Sequence, residues 1–447
     1  VIVIAVAAMF AGVATVRGRR DIGIGFAVLF GLAGVWAAGV GRNTRVVGVF
    51  PALVGAAVAA GVLMVGYRLA NPKPSPASRT THDPPVTPPL DRRRFLTVTG
   101  GLALGAVVVA SIGRGLQDRF NASLERAGVR APLPKEPLPE PPADPALDPA
   151  IEGLTPLFVP NIDFYRIDTA LRFPSADLSS WRLQIGGMVD RELALSYDDL
   201  VNRDLIERDI TIACVSNEVG GDLVGNARWV GCRLDDLLAE AGIQPDADQV
   251  MGFSIDGFTA GFPVANLDGR DALVAVGMNG EVLPVRHGFP ARLVVPGLYG
   301  YVSAVKWLSS IKLTRFDREV GYWVPLGWSQ LAPVKTESRI DRPHGKVKSG
   351  PTHIAGVAWA PNRGIAKVEV QVDGGGWNEA TLGPTVGDDA WRQWWLVWDA
   401  KPGQHQIRVR ATDGTGETQT EERANPAPDG ATGWHTVRVN VAAESSS

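Results

Sequence analysis

Cysteine is nearly absent from this chain, with two residues, Cys214 and Cys232, among 447. That scarcity excludes a disulfide scaffold, a cysteine-rich zinc module and a cysteine-ligated iron–sulfur cluster, all of which need more sulfur than the chain has. No Cys-x-x-Cys-His haem attachment occurs, and there is no flavin motif or dinucleotide fingerprint. Histidine is also scarce. Its six residues, at positions 82, 287, 344, 353, 405 and 435, show neither His-x-x-x-His nor His-x-His spacing, so no zinc site is expected. An excess of positive charge is missing too. A net charge of -3 gives no electrostatic footprint for a polyanion, so a nucleic-acid partner is not expected.

What is present is unevenly spread, and the length points to two or three domains. Four apolar stretches, Val1–Val16, Ile22–Val40, Val46–Tyr67 and Phe95–Gly113, carry no charged side chain. Each approaches the roughly 20 residues a helix needs to cross a bilayer, and their many glycines and alanines suit close helix packing. Residues 1–115 are therefore expected to form about four transmembrane helices. The chain begins at Val1 inside an apolar run and without Met, so the natural N-terminus is expected to lie upstream. Loop charge orients the segment. Arg17, Arg19, Arg20, Arg68, Lys73, Arg79, Arg92, Arg93 and Arg94 fall in the first and third loops, against Arg42, Arg45, Arg114 and Arg119 in the others, nine against four. The positive-inside rule then puts the soluble remainder outside the cytoplasm, as the extracytoplasmic part of a multi-pass protein in the cell membrane. Within the third loop, residues 91–96 read Asp-Arg-Arg-Arg-Phe-Leu and resemble a twin-arginine export signal, the route for proteins folded around a cofactor. Residues 116–153 follow as a linker whose proline-rich, acidic part reads as a stiff polyproline spacer.

Residues 154–332 mix short strands with helical spacing. Trp181–Gly187 and Asp209–Ala213 alternate as strands, Leu234–Ala241 has helical periodicity with Gly242 as its stop, and 291–296 and 304–308 are short strand-like runs. This is an α+β domain. Residues 333–447 change texture to alternating strands separated by Gly, Pro and Asp turns, among them 354–359, 366–372, 394–398 and 406–411. They predict an all-β, immunoglobulin-like sandwich.

Cys214 closes an apolar strand and opens a polar, glycine-rich turn, where a thiolate beside flexible backbone can meet a bulky metal cofactor. Cys232 reads as a small buried hydrophobe. The stretch His287-Gly288-Phe289-Pro290-Ala291-Arg292-Leu293-Val294-Val295-Pro296-Gly297, continuing to Lys306-Trp307-Leu308, resembles the pterin-binding signature of the sulfite oxidase superfamily. Met278–Pro284, Ala227-Arg228-Trp229, Leu234-x-Asp236-Leu237 and, further on, Val368–Trp377 fit the same family in the same order, over about 161 to 441. The resemblance implies a molybdenum–molybdopterin cofactor with Cys214 as the protein's sulfur ligand and catalytic residue. It implies pterin contacts from Asn161, Tyr165, Arg166, Asp236, His287, Arg292, Lys306 and the backbone of Ala304 and Val305. Arg292 and Lys306 suit a cofactor phosphate, which needs fixed cations.

The chain also departs from that family. Sulfite oxidases follow their cysteine with Ala-Gly-Asn-Arg-Arg, whose arginines hold an oxyanion, whereas Glu218 and Val219 stand here. Phe258 falls where the family has an active-site tyrosine. A carboxylate beside the site is expected to repel sulfite, with Arg166 or Arg228 as the residues able to restore positive charge. The expected activity is thus molybdenum-dependent oxygen-atom transfer on a small substrate other than sulfite. The alternatives are reduction of an S- or N-oxide, or a non-catalytic surface protein on a degenerate scaffold. Expected partners are the bilayer, a quinone or membrane cytochrome for electrons, and a second copy of the chain.

Overall fold

The computed structural model describes residue 129 and residues 131–142, 151–170, 173–174 and 176–443. They fall within one compact unit, Asp118–Ser447. The four apolar stretches and the twin-arginine-like segment lie outside the described residues. Among the described residues no helix is long and apolar enough to cross a membrane.

The α+β domain is built on two sheets. One carries β1 (Leu183–Gly187), β2 (Leu193–Leu195), β5 (Gln249–Ser254), β6 (Thr259–Pro263) and β10 (Leu308–Thr314) in the order β2-β1-β10-β5-β6. The other runs β3-β4-β7-β8, from β3 (Ile206–Ala213), β4 (Val224–Arg233), β7 (Leu273–Met278) and β8 (Glu281–Val282), with β9 (Arg292–Val294) paired to β7. Every residue of β7 is buried, which explains its unbroken apolar run without alternation. Three short helices fill the connections: α1 (Tyr197–Val201), α2 (Leu234–Ala241) and α3 (Gly300–Ser303). Ser196 opens α1 with a reciprocal capping box to Asp199, and Gly242 closes α2 at the expected place. The expected strand at 304–308 is instead the end of α3 and an irregular turn, and β10 begins only at Leu308.

Part of the expected spacer is not free. The Lys135 amide donates to Leu205 O at 2.9 Å, Glu136 bridges to Ile206, and the Leu138 amide donates to the Glu207 carboxylate at 2.9 Å. Residues 131–142 thus run along the edge of β3. A proline-rich stretch has few amides to donate, and those of Lys135 and Leu138 are used here.

The C-terminal domain is a two-sheet β-sandwich. One sheet orders β11 (Glu337–Arg342), β13 (Gly350–Trp359), β17 (Arg392–Ala400) and β16 (Thr381–Leu382) as β11-β13-β17-β16. The other orders β12 (Gly345–Lys348), β19 (His435–Ala442), β18 (Gly403–Asp413), β14 (Ile365–Val372) and β15 (Trp377–Glu379) as β12-β19-β18-β14-β15. Ile354 and Trp394 from the first meet Val368, Ile407, Val409 and Val439 from the second in one apolar core. Gly356 is obligatory for packing: a Cβ there would stand 1.8 Å from the Arg339 carbonyl across the β11–β13 ladder.

The sandwich is tied to the strand and turn that carry Cys214. The Thr211 amide on β3 donates to Asp389 O at 2.9 Å, and the Thr211 hydroxyl accepts from the Trp391 amide at 2.7 Å. Arg339 donates to Gly221 O at 2.9 Å and to the Thr155 hydroxyl at 2.7 Å. Gly220 has φ +82°, and a Cβ on it would come within 2.3 Å of the His435 ring, so the turn needs glycine twice over.

Trp394 is fully buried, and Trp394→Ala is expected to cost about 3–5 kcal/mol, read from urea denaturation. His435 Nδ1 accepts the Ile340 amide at 2.9 Å, so its neutral form is the bonded one. Burial, and then Arg339, push its pKa down from 6.5 to about 4. A histidine whose folded value is depressed favours the fold above its unfolded value and loses that contribution as pH falls. The melting temperature is therefore expected to drop between about pH 6.5 and 4, with a shallower slope in His435→Asn, whose side-chain oxygen keeps the acceptor without titrating. An unchanged slope would remove His435 from this account.

Candidate functional site

β3 delivers Cys214 to the floor of a cleft of about 930 Å³ counted to its open mouth, within the range of small-molecule sites. The Cys214 amide is fixed to Leu223 O at 2.9 Å, and its Sγ accepts the Ser216 amide at 3.4 Å. Burial raises the thiol pKa, and the Ser216 amide opposes that rise. A metal at the sulfur would reverse the balance, because a coordinated thiol is deprotonated outright. Cys232 is buried in the apolar core and donates to Leu200 O at 3.4 Å, as its sequence context predicts.

Facing the sulfur is a wall of cations set by the turns around β9. Arg292 is 4% exposed and forms no ion pair among the described residues. Its Nη1 donates to His287 O at 3.0 Å, and its guanidinium sits 5.0 Å over the Trp229 ring. Burial drags its pKa down to about 10. A buried cation without an anion is costly, so this geometry calls for one supplied by a ligand. Lys306 is paired with Asp168 and donates to Ile167 O at 2.9 Å, and burial lowers its pKa to about 8. His287 Nε2 donates to Asn161 O at 2.6 Å, because a carbonyl only accepts. Burial lowers the His287 pKa to about 3, so the ring is neutral and presents Nδ1 as an acceptor. Tyr165 stacks on Phe164 at 5.4 Å, and burial holds its phenol well above the ordinary range.

Of the residues expected at the site, Cys214, Tyr165, His287, Arg292, Ala304 and Lys306 line this one cleft. Asn161 supports it from behind: its side chain binds Met278 O at 3.2 Å and the Asn279 amide at 2.9 Å, while its carbonyl holds His287. Arg166 does not line the cleft, because Asp168 engages it at 3.0 Å. Val305 is fully buried in the core, and its carbonyl accepts the Leu293 amide at 2.9 Å. Asp236 does not line the cleft either. It lies on the exposed face of α2, where the periodicity that buries Leu234, Leu237 and Leu238 turns it to solvent.

Glu218 does not play the part expected of it: it is exposed, and neither it nor Val219 lines the cleft, so its carboxylate is not beside the site. Arg228 restores no charge, because Asp209 holds it at 2.8 Å and Glu207 lies beyond. Phe258, Tyr301, Trp323, Trp328 and Asp256 line the mouth of the same cleft. Sequence reasoning singled out only Phe258 from this set. The density of aromatics at 322–328 was the available signal for the rest.

The donor set fits a molybdenum–pterin group, with a soft sulfur on one side, an unneutralised buried guanidinium on the other, and a neutral imidazole acceptor between aromatic neighbours. Comparison with known proteins agrees. The family described as "Oxidoreductase molybdopterin binding domain" matches residues 170–323. The chain is similar to mitochondrial sulfite oxidase of Homo sapiens, at 30% identity over 351 residues, 66% of this chain and 64% of that protein. It therefore spans a little under two thirds of the length of that relative. It is 34% identical over 152 residues, 34% of this chain, to the uncharacterized oxidoreductase YuiH of Bacillus subtilis, covering 74% of that protein. The fold matches the sulfane dehydrogenase SoxCD of Paracoccus pantotrophus with a TM-score of 0.52 at 27% identity, over 59% of this chain and 77% of that one. A shared cleft, a matching domain and these relatives place the chain in the sulfite oxidase superfamily of molybdopterin-binding oxidoreductases.

Proposed function

We propose that the protein is a membrane-anchored molybdenum-cofactor oxidoreductase that performs oxygen-atom transfer on a small substrate other than sulfite, outside the cytoplasm. The observation that carries this reading is one cleft lined by both Cys214 and the buried Arg292, which forms no ion pair among the described residues. When bound, the molybdenum–pterin group supplies a two-electron couple suited to oxygen transfer. Cys214 is the residue that would hold the metal, held in place by its backbone bonds. Arg292 and Lys306 would hold the anionic end of the pterin, and His287 would offer Nδ1 to a donor on its ring. The aromatic side chains at the mouth exclude water and orient the substrate.

Reduction of an S- or N-oxide is the second reading. The aromatic mouth favours it, since an organic oxide needs apolar walls rather than a cluster of free arginines. The four apolar stretches and the loop charges support a bilayer anchor and an outward-facing domain. A quinone or membrane cytochrome is the electron partner that suits such an anchor, and the sandwich, read as immunoglobulin-like, is the dimerisation module.

Purified wild type is expected to contain molybdenum and pterin by elemental and fluorescence assay. Cys214→Ser is expected to lose turnover, and Arg292→Ala to weaken cofactor retention by about 2–5 kcal/mol, the usual effect of removing one member of a buried charged pair. Carefully expressed wild type without either component would overturn the reading. Protease added to intact spheroplasts is expected to degrade the domain, and full protection would instead place it inside.

A further inference from the structure

The cations of the cleft are already committed. Lys306 is paired with Asp168, which also holds Arg166 outside the cleft, and Arg292 is buried in the wall. The mouth carries the opposite character. Trp323 and Trp328 meet at 6.4 Å with their rings at 77°, and Tyr301 packs on Trp328 at 5.8 Å and 53°. Tyr322 continues the chain, 5.3 Å from Trp323 at 85° and 6.0 Å from Phe258. Trp323, Trp328, Tyr301 and Phe258 line the cleft, so these steeply inclined rings form its walls rather than a flat stack.

Asp256 stands among them. Its Oδ1 accepts the Phe258 amide at 3.1 Å, and its Oδ2 accepts the Thr169 hydroxyl at 3.3 Å. No cation pairs with it among the described residues, although Lys306 and Arg292 line the same cleft. Both of its oxygens are held by neutral donors, and the side chain lines the cavity. Ring faces are negative as well, and inclined aromatic walls beside a carboxylate attract a positively charged group of low hydration.

We infer that the mouth of the cleft is a subsite for a small organic cation, such as a quaternary ammonium or sulfonium head group, with Asp256, Trp323 and Trp328 as its specificity determinants. This rests on the functional reading above, in which Arg292 and Lys306 serve the cofactor. The subsite narrows the substrate class to organic molecules that carry positive charge next to the group transformed, and it disfavours inorganic oxyanions.

Calorimetric titration of the full-length, molybdenum-loaded protein with tetramethylammonium tests this, with tert-butanol as a neutral molecule of similar shape and sulfate as the anion. Saturable tetramethylammonium binding is expected, with tert-butanol at least about ten-fold weaker, the ratio that one cation–π and carboxylate contact set supplies. Sulfate is expected not to displace it. Asp256→Asn preserves the acceptor for the Phe258 amide, and it and Trp328→Leu should each weaken binding about ten-fold. A flat titration, equal binding of tert-butanol, displacement by sulfate, or unchanged affinity in both variants would each overturn the inference. The comparison of the cation with its neutral counterpart uses wild type alone, so it holds even where a variant fails to fold. Molybdenum is measured in the same samples. Metal present with a flat titration removes only the subsite, whereas metal absent removes the functional reading, and the titration is read in either case.

Discussion

A buried guanidinium that forms no ion pair among the described residues is the constraint on which the site depends. Arg292 is nearly inaccessible and leans on Trp229 and two backbone carbonyls, none of which neutralises it. The surrounding packing must be rigid enough to hold a charge that prefers water. Trp229 supplies that rigidity: it is fully buried, its indole donates to Ile210 O at 3.1 Å, and Phe164 packs edge-on against it at 5.9 Å. Phe164 also packs edge-on against His287 at 5.7 Å, so one aromatic cluster orients both the cation and the imidazole. The cleft is prepared for an anion before one arrives, which lowers the cost of reorganisation on binding.

The sulfur side is fixed by different means. The turn after Cys214 is held from the sandwich by Arg339 and crowded by His435 at Gly220. A second domain thereby sets the position of a residue in the first, and its Val357, Trp359 and Trp391 also join the apolar core of that first domain. The turn is rich in glycine because a neighbouring ring leaves no room, and the sequence alone shows only that it is flexible.

Legibility in the sequence followed locality. The strand leading to Cys214, the α2 helix and the long sandwich strands were readable because each is a continuous pattern with its own stop signals. His287 and Arg292 were readable because they sit five residues apart in one motif. The mouth was not, because Asp256, Tyr301 and the Trp323–Trp328 segment converge from three separate parts of the chain, and no periodicity links them. Asp236 shows the opposite failure. Its family context pointed to the cofactor, yet helical spacing had already assigned it the face opposite Leu234 and Leu237. Glu218 shows that adjacency in sequence to Cys214 is not adjacency to the cleft, since a turn reverses the side chain to solvent within four residues.

The strap formed by residues 131–142 carries one more consequence. β3 is an outer strand of its sheet, and a bare outer strand invites pairing with another chain. The strap occupies its first half through Leu205, Ile206 and Glu207, and the Asp389 loop of the sandwich occupies its second half at Thr211. The strand that presents the sulfur is thus shielded along its open side against edge-to-edge aggregation.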